Sequence, residues 1–508
     1  MPSSPGTISS TADGGALTAS RQLDGDQARR GGGQHLLALV RVVPLLALVM
    51  LCVVVVALAA HHASFLSPTA TPQRYPSWMA GPLAGLWPGA IPRAHTLTWL
   101  ISVALGLLYV AYLLVLRGAP RIQPGWILGG IVAVQLTFLL APPLQYTDVF
   151  NYINYGRMGV VHHLDPYSTL PLLEPHSDPA YAISNWHYLR SPYGPLFTLL
   201  TYALVPLGVA ASLWAIKIIV GACSLGLLAL VWRLARLLGR SPTLAVAFVG
   251  LNPIVLVWGL GGEHNDFIMV FLVLAAVYLL LTPRLRGEPP GPLPGGAWHR
   301  GLAGPELAAG ALLVGAVGIK ASAAIFVPLA IAIAQRRRPL LVGIGGTAVV
   351  LVAASLLAFG PHLGGVRAQS TLVSPEGLPN LLGILLGLGG ETAGLRGLLT
   401  GAAAVIILLA AARAWRRPLG AMEYGCVSAI ALIFTLGWSA PWYVLWALPF
   451  AALAASKRWR VVLLVYTLYA LIASSPSLAN IEHALHFNPR TDRLGREHVL
   501  QFDHLAAE

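Results

Sequence analysis

Apolar runs long enough to cross a membrane recur along this chain from about residue 42 to about residue 476. A helix needs about 20 apolar residues to span the hydrocarbon core, where its backbone polar groups must be bonded within the protein. No gap between the runs is large enough for a soluble domain, so they predict one all-α polytopic membrane domain over 41–478. The composition agrees, since only 10% of the 508 residues are charged, against about 25% in soluble domains.

The individual runs predict about thirteen crossings, each about 20 residues long. The region 196–232 is long for one span and contains Pro206 and Gly208, which predicts one crossing plus a short re-entrant or interfacial helix. The other spans are expected near 42–60, 96–116, 124–143, 242–260, 267–282, 306–335 (a hairpin-like pair), 339–359, 397–414, 420–437, 441–455 and 459–476.

Basic residues set the expected orientation of these spans. They precede the first span and separate the second from the third (Arg29, Arg30 and Arg41, then Arg117 and Arg121). Cytoplasmic loops carry an excess of Lys and Arg, so we expect a cytoplasmic amino terminus and an external position for the segment after residue 143. The net charge of +13 is spread over such short clusters, and we therefore expect no nucleic-acid partner.

The ends of the chain and its cysteines carry less information. Residues 1–40 have too little apolar surface to fold, which predicts a disordered cytoplasmic tail, and residues 479–508 are expected to form an external polar tail. The three cysteines, Cys52, Cys223 and Cys426, lie inside apolar runs. In such surroundings they pack as small hydrophobic residues, so they indicate neither a disulfide framework nor a metal site.

Asp148 is the first candidate for a catalytic residue. It follows the helix-breaking segment "APPLQ" at the expected membrane surface and precedes the tyrosine-rich stretch "YINYGR". An ionisable group at that depth is costly and often functional. One interpretation is a carboxylate that marks the water boundary, and the other is a general base, with Arg157 in reach of an anionic group.

The polar stretch 145–195 is the second candidate region. It mixes prolines with many Tyr, Trp and His residues, and a loop of this length is usually functional or disordered. Aromatic rings pack against the apolar faces of sugars, so such a loop suits carbohydrate binding. The same composition is also typical of the aromatic belt at a bilayer surface, and composition alone does not separate the two.

Two further clusters fall on the same expected outer face. The segment "GGEHND" at 261–266 packs Glu263, His264, Asn265 and Asp266 together. A divalent metal is conceivable there, but neighbouring residues of one short turn rarely supply a full coordination sphere, which favours substrate hydrogen bonding. Lys320, one of three lysines in the chain, either snorkels to the surface or pairs with a lipid phosphate.

Four ordered motifs show a family resemblance. In chain order they are "TDVFNYINYGRMG", "DPY", "SPYGPLF" and "LNPIVLVWGLGGEHND". This pattern resembles the actinobacterial polyprenol-phosphate-mannose-dependent α-1,6-mannosyltransferases of the GT-C class of membrane glycosyltransferases. The likeness covers most of 140–270, and the multi-span layout extends it over about 40–480. It implies a GT-C-like helical bundle with a large external catalytic loop.

The resemblance also implies substrates and roles for individual residues. The donor is polyprenyl-phosphate mannose, the acceptor is a lipid-anchored oligosaccharide of the lipomannan type, and membrane lipids surround both. An acidic residue of the first large external loop is the base in such enzymes, which corresponds to Asp148. In the generic class that loop follows the first helix, whereas two apolar runs precede the Asp148-bearing span here. With the clusters above, the candidate substrate-binding residues are Tyr146, Arg157, Tyr193, His264, Asn265, Asp266 and Lys320.

Two alternatives remain open. A transporter or flippase for a lipid-linked sugar would be expected to show repeat symmetry and polar residues across the midplane, whereas the polar residues here gather on one face and favour an enzyme. A GT-C enzyme that uses another lipid-linked sugar, such as arabinose or glucose, fits the same residues. We expect no cofactor, because a leaving lipid phosphate already carries its charge and cationic side chains can stabilise it. A divalent metal is not favoured.

Overall fold

The computed structural model of the protein describes residues 41–61, 64–67, 81–83, 94–145, 148–287, 304–362 and 372–489. All regular elements within these ranges are helical, which confirms the predicted all-α class. The expected tail 1–40, the end of the carboxyl tail after residue 489 and Tyr146 lie outside the described residues.

The helices follow one another with short connections. In chain order they are α1 Arg41–Ala59, α2 Ala94–Gly118, α3 Pro124–Leu140, α4 Asp148–Val160, α5 Pro195–Leu204, α6 Gly208–Leu237, α7 Pro242–Gly250, α8 Asp266–Leu285, α9 Pro305–Ile319, α10 Val327–Ile333, α11 Arg337–Phe359, α12 Leu378–Leu385, α13 Ala393–Arg416, α14 Ala421–Thr435, α15 Leu448–Leu453, α16 Lys457–Ala473 and α17 Pro476–Ala484. A π-helix, Val255–Leu260, and two longer 3₁₀ segments, Ala321–Phe326 and Pro441–Trp446, carry the chain between them.

Seven helical segments within the described residues are long and apolar enough to cross a membrane, or eight if the bent pair α16 and α17 counts as one span. Shorter apolar helices accompany them at Pro124–Leu140, Pro305–Ile319, Ala321–Ile333 and Pro441–Leu453. The protein is therefore a multi-pass membrane protein, as the apolar runs predict. The total of about thirteen crossings stays a prediction.

Proline and small polar residues determine where many helices begin. Pro occupies the first turn of α3, α5, α7 and α9, where its missing N–H has no intrahelical role. The side chain of Ser241 caps α7 by accepting a hydrogen bond from the Leu244 N–H. In the region 196–232 the chain breaks at Val205–Leu207, and Gly208 adopts a φ of +79°. The break thus coincides with Pro206 and Gly208.

The bundle has two chemically different ends. α8 begins at Asp266 and carries Arg284 in its last turn, where the guanidinium donates to the Ile333 carbonyl at 2.9 Å. A helix of 20 residues is about 30 Å long, close to the thickness of the hydrocarbon core. Near the same end, the Arg337 guanidinium lies 3.4 Å from the centre of the Trp415 ring. Arg284 and Arg337 thus lie at one end of the bundle, and Asp266 lies at the other.

The centre of the bundle is the continuous stretch from Ala245 to Val270, in which every residue is buried. It includes most of α7, the π-helix and the "GGEHND" turn, so the side chains of the polar turn are enclosed by the bundle. Outer helices behave differently: Val349 of α11 and Leu398 of α13 are about two-thirds exposed. Such apolar faces suit contact with lipid, whereas the central stretch positions the site.

Candidate active site

The "GGEHND" turn is a tightly packed connection between the π-helix and α8. π-Helical turns often occur at functional sites. Glu263 lies in the left-handed region with a φ of +51°, which costs a non-glycine residue about 1 kcal/mol or more. A Cβ on Gly262 would come within 2.5 Å of both the Trp258 carbonyl oxygen and His264 Nε2. The turn therefore requires glycine there and stores backbone strain beside His264.

Asp148 and His264 form the first contact of the site. Asp148 is the first residue of α4 and is buried, and its Oδ2 lies 3.2 Å from His264 Nδ1. The imidazole also stacks on Trp442 with 3.5 Å between ring centroids, while its Nε2 lies against Gly262. Among the described residues Asp148 Oδ1 has no hydrogen-bond partner. One carboxylate oxygen is thus oriented by His264, and the other is able to accept a bond from a substrate hydroxyl.

Asp266 and Lys320 form an ion pair enclosed by aromatic rings. Lys320 Nζ lies 3.0 and 2.9 Å from the two Asp266 oxygens, and the indole N–H groups of Trp446 and Trp442 donate to the same carboxylate at 2.5 and 3.2 Å. The ammonium also lies 4.5 Å from the centre of the Tyr443 ring, within the range of a cation–π contact. The Tyr443 side chain is also a hydrogen-bond partner of Lys320, so the ammonium is held between the Asp266 carboxylate and that side chain.

A second buried ion pair lies behind the same turn. Lys217 Nζ is 2.8 Å from Glu263 Oε1 and also donates to the Ala141 carbonyl at 2.8 Å. Ala141 precedes the segment that leads to Asp148, whereas Glu263 directly precedes His264. Lys217 therefore joins the two stretches of backbone that meet at the Asp148–His264 contact.

Tyrosine rings fill the space beside the turn. The Asn265 N–H donates to the Tyr152 hydroxyl at 3.4 Å, and the Tyr152 ring contacts Tyr193 and Phe197 edge-on at 4.7 Å each. Within the described chain, the Tyr193 hydroxyl and both side-chain polar atoms of Asn265 have no hydrogen-bond partner. Buried polar atoms are rarely left unpaired, so this corner has hydrogen-bonding capacity for a polar ligand.

Arg157 contacts the external loop rather than this cluster. Its Nε and Nη2 atoms each lie 2.8 Å from an oxygen of Asp178, and His162 Nε2 lies 2.7 Å from the same carboxylate. Burial raises the pKa of Asp178, but the hydrogen bonds from Arg157, the Ala180 N–H and His162 outweigh it and hold that pKa below its ordinary value. The Asp178 carboxylate therefore fastens the loop to α4.

The structure brings most of the predicted site residues together, namely Asp148, Tyr193, His264, Asn265, Asp266 and Lys320. Sequence reasoning missed the indoles of Trp442 and Trp446, the ring of Tyr443 and the ammonium of Lys217. The segment "PWYVLW" was assigned to a plain span, although three aromatic rings in six residues are unusual there. Lys217 lies inside an apolar run, and a charge in that position is a signal of function by itself.

Acidic and imidazole side chains of the described ranges meet in pairs, such as Asp148–His264 and Asp178–His162. No group of three or more His, Cys, Asp or Glu residues there is arranged to hold a metal ion. Glu263 and Asp266 face different lysines, at 2.8 and 2.9 Å. The expectation that no cofactor takes part stays a prediction.

Known proteins resemble this chain over most of its length. A family model described as the N-terminal domain of α-(1→6)-mannopyranosyltransferase matches residues 62–336, and the MptB C-terminal domain model matches residues 375–486. An α-(1→6)-mannopyranosyltransferase of Mycobacterium tuberculosis is 28% identical over 398 residues, which cover 66% of each chain. A probable α-(1→6)-mannopyranosyltransferase of Mycolicibacterium smegmatis is 28% identical over 65% of each chain.

A shorter match gives a higher identity. The α-(1→6)-mannopyranosyltransferase A of Mycobacterium tuberculosis is 33% identical over 150 residues, which cover 29% of each chain. The chain thus spans just under two thirds of the length of the first two relatives, at 66% and 65%. No solved structure matches it.

Proposed function

This chain belongs to the α-(1→6)-mannopyranosyltransferase family, and on that premise we propose that it transfers mannose from polyprenyl-phosphate mannose to a lipid-anchored oligosaccharide of the lipomannan type. The new bond is an α-(1→6) link formed with inversion. The observation that carries the proposal is the Asp148 carboxylate, which is oriented by His264 through Oδ2 and keeps Oδ1 without a partner in the described chain.

The reaction is a direct displacement. The acceptor hydroxyl, bound to Asp148 Oδ1, attacks the anomeric carbon of the β-linked mannosyl phosphate. The bond from the anomeric carbon to the phosphate oxygen breaks, the hydroxyl proton passes to Asp148, and polyprenyl phosphate leaves with the bonding electrons. His264 Nε2 is also buried without a hydrogen-bond partner in the described chain; we assign the base to Asp148 because the family resemblance implies an acidic base in the first external loop.

The donor phosphate requires a cation, and we assign this role to Lys320. Its charge is already balanced by Asp266, which the two indoles also bind. The phosphate therefore shares the ammonium with Asp266 and binds it in place of the Tyr443 side chain. This arrangement fixes the direction of the ammonium before the donor binds, and preorganised charge of this kind stabilises a leaving group without reorganisation.

The two ends of the bundle suggest the side of the membrane on which transfer takes place. Arg284 lies about 27 Å from Asp266 along α8, and Arg337 of α11 donates to the Ile331 carbonyl, two residues from the Ile333 carbonyl that Arg284 binds. Clustered arginines mark the cytoplasmic end of membrane helices, so we assign the site to the external face and the amino terminus to the cytoplasm. The donor's reactive carbon is held at the membrane surface by its lipid, which explains why the base lies at the membrane surface.

The decisive experiment measures mannose transfer from radiolabelled polyprenyl-phosphate mannose to an oligomannoside, using membranes that contain wild type or Asp148→Asn. General-base catalysis contributes roughly 10²- to 10⁴-fold, so we expect a loss of about 10³-fold in the variant at equal expression. The matched control is Glu482→Gln. Glu482 lies on α17, outside the four motifs of the family resemblance, and its replacement should keep transfer close to wild type.

The outcomes separate the alternatives. Near-normal transfer by Asp148→Asn would exclude it as the base. If folded wild type transfers no mannose, the same membranes are tested with polyprenyl-phosphate arabinose and glucose. Transfer of one of these would change the sugar but keep the enzyme class, and movement of an intact lipid-linked sugar across vesicles would establish transport instead.

A further inference from the structure

An aromatic groove lies beside the site on the loop side of the protein. It has a volume of about 350 Å³ and is lined by Asn185, Trp186, Tyr188, Leu189, Leu372 and Trp438. Small-molecule sites typically measure about 300–1,000 Å³, so the groove is large enough for a ligand. None of these six lining residues is charged, which distinguishes it from the Asp266–Lys320 cluster.

The groove is attached to the helix that carries the proposed base. Asn151, one turn after Asp148 on α4, accepts hydrogen bonds from the backbone N–H groups of Asn185 and Trp186 at 3.1 and 3.2 Å. Its amide also donates to Asn185 Oδ1 at 3.0 Å. The wall of the groove therefore holds a fixed position relative to Asp148, although it belongs to a long loop.

Trp438 connects the groove with the site. Its ring lies 6.3 Å from that of Trp186 at nearly a right angle, and it also lines a second cavity of about 140 Å³ whose wall includes Trp442. Trp442 stacks on His264, and His264 contacts Asp148. An aromatic path thus leads from the groove to the proposed base.

We propose that this groove binds neutral sugar units of the acceptor saccharide, next to the unit that receives mannose. The inference rests on the proposed function. The faces of Trp186 and Trp438 pack against the C–H faces of pyranose rings, and the exposed amide of Asn185 bonds hydroxyl groups. The donor does not suit this groove, because its phosphate needs a cation and the six described lining residues provide none.

The test compares acceptors of increasing length. Neutral α-(1→6)-linked oligomannosides, from the disaccharide upward, are used with wild type, Trp186→Ala and Trp438→Ala. We expect the acceptor KM of wild type to fall with length. In both variants the KM for long acceptors rises roughly tenfold, which corresponds to about 1.4 kcal/mol, and the advantage of length disappears. The KM for the donor does not change.

Two additional variants control for folding and for ring chemistry. Trp186→Phe retains an aromatic face and should recover most of the affinity for long acceptors. Trp415→Ala removes an exposed tryptophan at the arginine-rich end, where it contacts Arg337, and should leave the length dependence intact. A rise in KM that is equal for short and long acceptors, or that accompanies Trp415→Ala to the same degree, would overturn the proposal.

A direct binding measurement distinguishes saccharide binding in the groove from the mannosyl transfer reaction. Calorimetric titration of the purified protein with a neutral oligomannoside, without donor, should show binding that Trp186→Ala weakens about tenfold. Mannose transfer without any Trp186-dependent binding would overturn the groove and leave the function standing. Trp186-dependent binding without mannose transfer would support the groove and reject the reaction.

Discussion

Two carboxylates of the same turn, Glu263 and Asp266, each form an ion pair with a lysine. The two pairs differ in their hydrogen bonds and in their exposure. Asp266 is fully bonded, since Lys320 and two indoles donate to it, and Lys320 retains an exposed side-chain fraction of 12%. Glu263 is bonded through one oxygen only, and both it and Lys217 have 2% of the side chain exposed. Its other oxygen has no partner in the described chain and borders a cavity of about 10 Å³, close to the volume that one water needs.

The two ion pairs therefore have different roles in the structure. The Asp266–Lys320 pair keeps a cation in a fixed direction beside the site, with aromatic rings in place of water. The Glu263–Lys217 pair holds backbone together, because Lys217 also binds the Ala141 carbonyl. A buried pair is weak evidence of stabilisation compared with apolar residues, but breaking it leaves an unpaired charge that is costly.

The largest effect on stability is expected for Lys217→Met. It leaves Glu263 buried and without its cation, which costs about 3–5 kcal/mol. Thermal unfolding of the detergent-purified protein measures this loss. The double variant Lys217→Met with Glu263→Leu removes both charges and should regain most of the stability, because apolar replacements of buried pairs are often neutral.

The same double variant distinguishes charge balance from positioning. If Lys217 holds the backbone beside Asp148 and His264, mannose transfer stays on the order of tenfold or more below wild type even when stability returns, because small displacements of reacting groups are costly. Full recovery of transfer would show that only the charge matters. Lys457→Met is the matched control, since that lysine is exposed at the start of α16.

A smaller loss of stability and a direct loss of activity are expected for Lys320→Met. Asp266 keeps the two indole donors, so the variant loses roughly 2 kcal/mol, the value of a hydrogen bond to a charged group. Transfer should fall by about 10²-fold, because the leaving phosphate loses its cation. If Lys320→Met loses as much unfolding free energy as Lys217→Met and retains mannose transfer, the two pairs do not have the different roles described above.

The sequence allowed the general architecture and most of the site to be predicted, for separable physical reasons. Apolar runs predict membrane spans because a backbone in lipid must pair its polar groups within the protein. The helix break at Pro206 and Gly208 follows from the backbone restrictions of proline and glycine. Asp148, the "GGEHND" turn and Lys320 were recognisable because charged residues beside apolar runs are costly and often functional. Their convergence followed from assigning all three to one face.

The rest depended on partners that are distant in sequence. Trp442 and Trp446 lie 176 and 180 residues from Asp266, and tryptophan in an apolar run looks the same whether it faces lipid or a carboxylate. Arg157 illustrates the opposite case: as a cation beside a candidate base it suggested an anionic ligand, yet its observed contact is Asp178. Asn151 and Asn154 follow Asp148 at intervals of three, and that polar repeat was the available signal that the loop packs on α4.

Glu174 differs from both Glu263 and Asp266, because no cation among the described residues is bonded to its carboxylate. It lies in the external loop, where the Asn154 amide donates to Oε1 at 2.6 Å and Oε2 has no partner within the described chain. Burial raises the pKa of its carboxyl to about 7, although the Asn154 bond opposes the shift. Glu263 has a cation to balance its charge, whereas Glu174 is held in its protonated form in mildly acidic solution.

The smallest expected effect is therefore a pH dependence of the external loop. A folded pKa near 7 above an ordinary value of 4.5 means that the folded protein binds the extra proton, so this contribution to stability is complete below about pH 4.5 and is lost as the pH rises through about 7. One pKa unit is worth about 1.4 kcal/mol and solvent screens part of it, so we expect a loss of roughly 1–2 kcal/mol between about pH 5 and about pH 8. Glu174→Gln should flatten this slope in thermal unfolding and in proteolysis of the loop, and an unchanged slope would assign the titration to another group.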